Sequence, residues 1–429
     1  MTRTSASAVK QALARGIIQN RARLLEWHTA ISRATPPPFY CSIDIRDSGH
    51  KIVPVDSNLF PAGFNNICPD DMRAASRIIQ AQLKALALRL GLPEIRKLLV
   101  IPESHTSNAY YIENLHYLLG VLADIPVEVM TGWLGPPPEG PAGSPVKLVS
   151  ATGKIIEAHG IEIKDGLLSA NGFVPDMILL NNDFSGGYPP GLDNIKQPLL
   201  PSHHLGWHAR KKSRHFEHYN KLAAEFAAIT GIDPWTIMVD TVQVEPVDFS
   251  SGTGIETAAL AVDGMLERIR TEYSKRSIHR APFVFIKNNR GTYGMGIMVA
   301  RSSDELKHMN RRTRNKMSTS KGHCRIDSVV VQEGVPTATI VDRLAAEPVI
   351  YLVGGSLIGG FLRTNSKRGD EDNLNSQGMV FKKLCMSDLQ DTDDSLLELV
   401  YGAVAQISAL ATGLELTQPP PTHLSAGQA

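Results

Sequence analysis

Phe283-Val-Phe-Ile-Lys287, Asn288-Asn289-Arg290, Gly291-Thr292-Tyr293-Gly294-Met295-Gly296 and Ile297-Met-Val-Ala-Arg301 follow one another without a break in this 429-residue chain. Three glycines within six residues leave a backbone free of Cβ atoms, so successive N–H groups can close around phosphate oxygens. The order of elements decides which phosphate loop this is. A P-loop needs G-x-x-x-x-G-K-[ST] running into a helix, and the dinucleotide fingerprint needs G-x-G-x-x-G doing the same. Here the glycines read G-x-x-G-x-G, the lysine ends the preceding strand, and a second strand follows. A helix starts only at Ser302, where Ser302 and Glu305 form a capping-box pattern. The whole suits a hairpin lid over a nucleoside triphosphate; an ordinary hairpin with flexible glycines has the same local pattern.

Working outward, residues 283–380 carry further groups of the same chemistry. Lys287 is a point charge at the mouth of the lid, suited to the α- and β-phosphates. Gln332-Glu333-x-Val335 ends a hydrophobic strand, where a carboxylate can hold ribose hydroxyls and backbone groups can meet an adenine edge. Arg363 ends the second strand of a hairpin made by Val349–Val353, Gly354-Gly355 and Leu357–Leu362, and its guanidinium fork suits a transferring phosphoryl group. Glu371, Asp372, Asn373 and Asn375 offer hard oxygens suited to Mg²⁺, although such a loop is equally read as solvated surface.

The N-terminal half alternates strands and helices. Asp70 or Asp71 caps a helix with Met72, Ile79, Leu83, Leu86 and Leu90 on one stripe and Gly91 at its end. Lys97–Ile101 is a short buried strand, 106–123 a helix, Val127–Met130 a strand and Met177–Leu180 another. This βαβ rhythm predicts a parallel sheet covered on both faces. Residues 135–145 hold five prolines and three glycines and read as a surface loop. From about residue 201 the chain changes to helices at 213–230 and 254–273, the β-rich lid region, and a last helix at 396–410. The reading is an α/β fold, α+β in its C-terminal half. Its segments are 1–95 (helical and α/β), 96–200 (parallel-sheet α/β substrate domain), 201–415 (nucleotide-binding domain) and a disordered tail at 416–429.

Composition narrows the class. Lys and Arg number 44 against 43 Asp and Glu, a net charge of +1 that gives no general attraction to nucleic acid or acidic membrane. No apolar run approaches the ~18 residues that span a bilayer. The 4 cysteines form no C-x-x-C pair and read as reduced thiols of a cytosolic protein. The acid-free first 25 residues resemble a transit peptide in charge. Val9, Leu13, Ile17 and Leu24 recur at helical spacing and favour a packed helix. Five of the 14 histidines, His203, His204, His208, His215 and His218, lie close together. A zinc site there is disfavoured, because no Cys or Asp lies nearby in sequence to complete a shell and Pro201 and Gly206 interrupt any helix. The basic run Arg210–Arg214 is too brief and too poor in aromatics for nucleic acid.

Longer motifs then become recognisable. They are Ile101-Pro-Glu-Ser-His-Thr106 with Asn108 and Tyr111; Leu180-Asn-Asn-Asp183; Gln197–Pro201 through Gly206-Trp207-His208; Lys212-Ser213-x-His215-Phe216; Gly231–Trp235; Gly291–Gly296; Val331–Val335; Glu347-Pro348; and Asn373-Leu-Asn375 with Gly378-Met379. Across roughly residues 40–415 the chain resembles the proteobacterial, acidophile-type glutamate–cysteine ligase family, which belongs with the ATP-grasp enzymes. The resemblance implies an N-terminal parallel-sheet domain followed by an ATP-grasp domain. It also implies formation of γ-glutamylcysteine from L-glutamate, L-cysteine and ATP through an acyl phosphate, with Mg²⁺ as cofactor. Partners would be small amino acids, with neither nucleic acid nor membrane, in the cytoplasm; a homo-oligomer is left open. Lys287 and Arg363 would be catalytic. Lys287, Gly291, Thr292, Tyr293, Gly294, Met295, Gly296, Gln332, Glu333 and Val335 would bind ATP. Ser104, His105, Asn108, Asn182 and Arg290 would meet substrate, and Glu371, Asn373 and Asn375 the metal. The chain departs from the family at 288–290, where Asn-Asn-Arg replaces Ala-Asp-Ala, and at its end, where Gly413-Leu-Glu415 runs into the proline tail without an E-x-N pair. Those departures leave a different amino acid pair, or a non-catalytic nucleotide binder, as alternatives.

Overall fold

The computed structural model describes residues 7–104, 108–136, 143–291, 296–318, 326–385 and 395–417. Parallel strands Lys97–Pro102, Glu128–Trp133 and Met177–Asn181 form the centre of a seven-stranded sheet, with Leu199–Leu200 beside Met177–Asn181. Leu98, Leu99, Val100 and Ile101 are all fully buried, as a central parallel strand covered on both faces requires. Helices Pro69–Leu90 and Ala109–Ala123 pack against this sheet, the first ending at Gly91 with φ 67°. An antiparallel extension holds Val146–Val149, Ile155–Lys164 and Leu167–Ala170. Its predicted Lys164-Asp-Gly166 turn has φ 54° at Asp165 and 77° at Gly166, the left-handed pair a two-residue hairpin needs. The chain leaves Lys97–Pro102 for one neighbour and later returns to Met177–Asn181 on its other side. This creates a switch point at the strands' carboxyl ends, where Glu103 and Asp183 emerge.

A second, antiparallel sheet is assembled from the two ends of the chain. Its order is Met379–Leu384, Ser356–Asn365, Leu344–Val353, Tyr40–Asp47 and Ile52–Asn58, with Ile340–Val341 alongside. The strands at 40–58, read from sequence as part of a separate N-terminal segment, are thus hydrogen-bonded to residues more than 300 positions later. Register sets the chemistry here. Asp44 pairs with Val349 and Glu347 with Arg363, so period-2 alternation puts all three charged side chains on one face. A third, four-stranded antiparallel sheet carries Thr241–Val244, Val329–Glu333, Val284–Asn288 and Ile297–Ala300, backed by helix Ile255–Lys275. Helix Ser303–Lys307 begins where expected, but Ser302 makes no side-chain cap; Glu305 accepts from the Arg301 N–H at 3.1 Å instead.

Two expectations are corrected. The last helix runs over Ser395–Thr417, and Glu398–Thr417 is long and apolar enough by length and composition to cross a bilayer. It is instead 72% buried, packing Val404, Ile407 and Leu410 against Leu13, Ile17, Leu222 and Phe226. Helices Ala8–Gln19 and Arg21–Ala34 complete this layer. Cys68 and Cys385, expected as thiols, form a disulfide with 5.2 Å between Cα atoms. Folding brings the cap of helix Pro69–Leu90 to the end of strand Met379–Leu384 across a sequence separation of 317, which spacing alone cannot reveal. The predicted tail beyond 417 lies outside the described residues.

Candidate active site

The second and third sheets face each other across a cleft of about 560 Å³, open to solvent. Its walls carry four cations, Arg46, Lys212, Lys287 and Arg363, and three carboxylates, Asp44, Asp56 and Glu347. Lys287 is the penultimate residue of strand Val284–Asn288 and reaches from the small sheet to the large one. Its Nζ donates to the Val55 carbonyl at 2.9 Å and to Gln332 Oε1 at 2.6 Å. Burial pulls this ammonium down to about 8; Asp56 and Glu347 support its charge, while Lys212 and Arg46 oppose it. A triphosphate would supply the missing negative charge.

Arg363 sits deeper. Its Nη1 donates to Asp44 Oδ2 and Glu347 Oε1, both at 2.7 Å, while Arg46 Nε holds Glu347 Oε2 at 2.7 Å. Burial alone would lift the Glu347 carboxyl, yet the two guanidiniums hold it below its ordinary value. Asp44 moves the other way: burial outweighs Arg363 and raises it. Lys212 opens helix Lys212–Thr230 and pairs with Asp56. Its backbone N–H donates to the Asn289 carbonyl at 2.9 Å, and Asn289 Oδ1 accepts from the next amide, Ser213 N, at 2.9 Å. The asparagine that departs from the family pattern therefore fastens the lid's root to the helix that presents Lys212.

A second cavity, about 690 Å³, adjoins the first and shares Asp44, Arg363 and Asn375 with it. It lies at the switch point of the parallel sheet. Glu103 and Asp183 line one side, Tyr351 and Phe361 another, and Trp207 and Phe60 complete it. Of the polar atoms in this region, Arg363 Nε and Gln332 Nε2 are buried donors without a partner among the described residues. Buried donors are normally satisfied, so the Arg363 Nε on the wall shared by the two cavities marks a place for a ligand's oxygen.

The predicted residues separate accordingly. Lys287, Arg363, Gly291, Asn373 and Asn375 line the first cleft. Gln332 bonds Lys287 behind it, and Gly296 pairs its carbonyl with Asn288 N at 2.9 Å. Thr292, Tyr293, Gly294, Met295 and His105 lie outside the described residues. Glu333 holds buried Lys51, both carboxylate oxygens 2.7 Å from its Nζ, and lines a small hollow away from the first cleft. Val335 packs with Val53 and Val55 and lines the same hollow with Lys51 and Trp235. Glu371 does not fit the ligand role given it: its carboxylate pairs with Arg301 at 2.6 Å, away from the cleft. Asn108 caps helix Ala109–Ala123, Asn182 accepts from Phe184 N at 3.0 Å, and Ser104 is half-buried beside Glu103. None of those three lines either cavity; their neighbours Glu103 and Asp183 do. Arg290 contacts Asp327 at 3.8 Å, and its Nε has no partner among the described residues. Sequence reasoning passed over Asp44, Arg46 and Asp56, which sit in a β-hairpin that carries no motif of its own.

A family model for glutamate–cysteine ligase matches residues 15–416. The chain belongs to the glutamate–cysteine ligase family. It is an ATP-dependent ligase of the γ-glutamylcysteine-forming kind. A solved structure assigned as a gamma-glutamylcysteine synthetase, from Methylobacillus flagellatus, is 34% identical over 97% of this chain and 98% of that one, with a TM-score of 0.86. A glutathione synthetase-like effector from Globodera pallida (11% identity, 88% and 86% covered, TM-score 0.39) and the D-alanyl-alanine synthetase A of Vibrio cholerae (12%, 75% and 81%, 0.35) are more distant. No curated protein matches the chain significantly by sequence.

Proposed function

We propose that L-glutamate and L-cysteine are joined across the wall shared by the two cavities, with the triphosphate in the first and the amino acids in the second. The observation that carries this reading is Arg363, held on that wall by Asp44 and Glu347 with Nε left over. The γ-carboxylate of glutamate attacks the γ-phosphorus, forming an acyl phosphate as the bond to the ADP oxygen breaks. The cysteine amine then attacks the acyl carbon, the amide forms, and phosphate leaves. Lys287 and Lys212 balance the phosphate charge, and the amides at Gly291 and Gly296 belong to the lid that closes over it. Glu103 and Asp183 hold the substrate ammonium groups, and one of them takes the proton the amine loses. Arg290, at the lid's root, adds a contact to the acceptor.

Magnesium fits this cleft, because Asp56, Asn373 and Asn375 put hard oxygens on its wall. When bound, the ion would neutralise and orient the phosphates. The small amino acid substrates support a cytoplasmic location for the chain. Hydroxylamine tests the first half-reaction. With ATP and L-glutamate but no cysteine, γ-glutamyl hydroxamate accumulates, and Arg363→Ala abolishes it. Hydroxamate formation at the wild-type rate in that variant would remove Arg363 from the mechanism.

A further inference from the structure

Outside both cavities, the turn Pro190–Asn194 folds back onto the turn His203–Leu205 and places Asp193 against two adjacent histidines. We propose that Asp193, His203 and His204 form a binding site for one divalent transition-metal ion of the zinc class, with Tyr188 orienting the ligands. The donor atoms all lie within 4.8 Å of one another. His203 Nε2 is 3.0 Å and His204 Nε2 3.8 Å from the same oxygen, Asp193 Oδ1. Bonds of ~2.0–2.1 Å in a tetrahedral shell put neighbouring ligand atoms roughly 3.3 Å apart, so the groups already stand near their bound spacing.

Hydrogen bonding sets the tautomers. The Tyr188 hydroxyl donates to Asp193 Oδ1 at 2.9 Å, so its oxygen accepts from His204 Nδ1 at 3.2 Å. His204 then carries its proton on Nδ1, and the Nε2 lone pair faces the carboxylate. A lone pair and a carboxylate oxygen repel unless a cation stands between them. His203 Nε2 lends a proton to that oxygen, and a metal ion would replace it. A ligand histidine whose other nitrogen bonds a fixed oxygen is the usual outer-shell arrangement of zinc. Asp193 and His204 remain 43% and 42% exposed, which leaves the fourth position to water.

Zinc is disfavoured from the sequence because no Cys or Asp stands near the histidines; Asp193 comes from ten residues upstream through the fold. The site ties two turns just ahead of Trp207, whose N–H holds the Asp183 carbonyl at 2.9 Å on the amino acid cavity. The test uses untagged, chelator-treated, full-length protein titrated with Co²⁺ and followed by visible absorption. The expected result is one ion per chain with the strong bands of tetrahedral cobalt, displaced by Zn²⁺ and untouched by excess Mg²⁺. His204→Ala and Asp193→Asn each weaken binding at least tenfold while far-ultraviolet circular dichroism stays unchanged, and Tyr188→Phe weakens it about 10–100-fold. No saturable cobalt binding, or the same affinity in His204→Ala as in wild type, would overturn the site.

Discussion

Two buried charge clusters in this molecule look alike and differ in what they leave over. In the cleft, Arg363, Asp44, Glu347 and Arg46 are paired, yet Arg363 Nε and nearby Gln332 Nε2 have no partner among the described residues. About Arg210, no buried polar side-chain atom is left over among the described residues. Its Nε and Nη2 hold both oxygens of Glu415 at 2.9 Å and its Nη1 donates to the Ser57 carbonyl. His215 Nδ1 donates to Glu415 Oε1 at 2.6 Å, and its Nε2 meets Ser408 Oγ at 3.0 Å. A saturated cluster fastens helix Lys212–Thr230 to helix Ser395–Thr417; the unsaturated one is where we propose that substrate binds. Burial and charge by themselves do not separate the two, whereas the unspent donors do.

The largest expected effect is on the saturated side. Glu415→Ala leaves a buried guanidinium unpaired and should cost about 3–5 kcal/mol of stability, read by denaturant unfolding. Turnover per folded molecule should stay near wild type. Burial tends to raise the Glu415 carboxyl, but Arg210 and His215 outweigh it and hold it down at about 2. A carboxylate depressed by folding contributes stability above its ordinary value and loses it as pH falls. The acid limb between the ordinary carboxylate value and about 2 should therefore flatten in the variant. Wild-type stability for Glu415→Ala would break the comparison.

On the unsaturated side, Arg363→Lys keeps the charge and loses the fork. A hydrogen bond to a charged group is worth about 1.5–3 kcal/mol, so kcat should fall roughly 10–100-fold with a small change in Tm. A Tm collapse with normal turnover would class Arg363 with Arg210. Next in size is the pH response. Lys287 titrates near 8 in the free protein, so capture of ATP should weaken as pH rises above that, by at most about tenfold per unit. Stability should move oppositely: a lysine depressed by folding binds fewer protons folded than unfolded between about 8 and its ordinary value. Wild type should gain stability relative to Lys287→Met across that window. Lys287→Arg should remove the alkaline limb of kcat/KM for ATP. Smallest of all, Arg290→Ala should change the KM for amino acids only a few-fold, since one weak contact to Asp327 is what holds it.

The strands that flank the glycine loop were legible because their apolar runs and the glycine spacing between them are local facts. Arg363 was legible for the same reason, at the end of a hairpin marked by Gly354-Gly355. What escaped was everything that register decides. Asp44 meets Arg363 because strands some 300 residues apart pair in one sheet, whereas Glu347 faces Arg363 across a local hairpin whose register no local pattern encodes. Glu333 looked like a ribose ligand because it ends the right strand; Lys51, another distant residue, claims its carboxylate. Asp193 and Cys385 were missed on the same physical ground, as partners supplied by the fold and not by neighbours in sequence.

The central claim is that the unsaturated cleft performs ATP-driven joining of two amino acids through Lys287. ADP release measured by a coupled assay, with L-glutamate and L-cysteine supplied singly and together and the product weighed by mass spectrometry, tests it directly. ADP release is expected in step with γ-glutamylcysteine only when both amino acids are present, with a loss of about 10²–10³-fold in a folded Lys287→Ala variant. ADP release indifferent to the amino acids, or a Lys287→Ala enzyme retaining half of wild-type turnover, would contradict it.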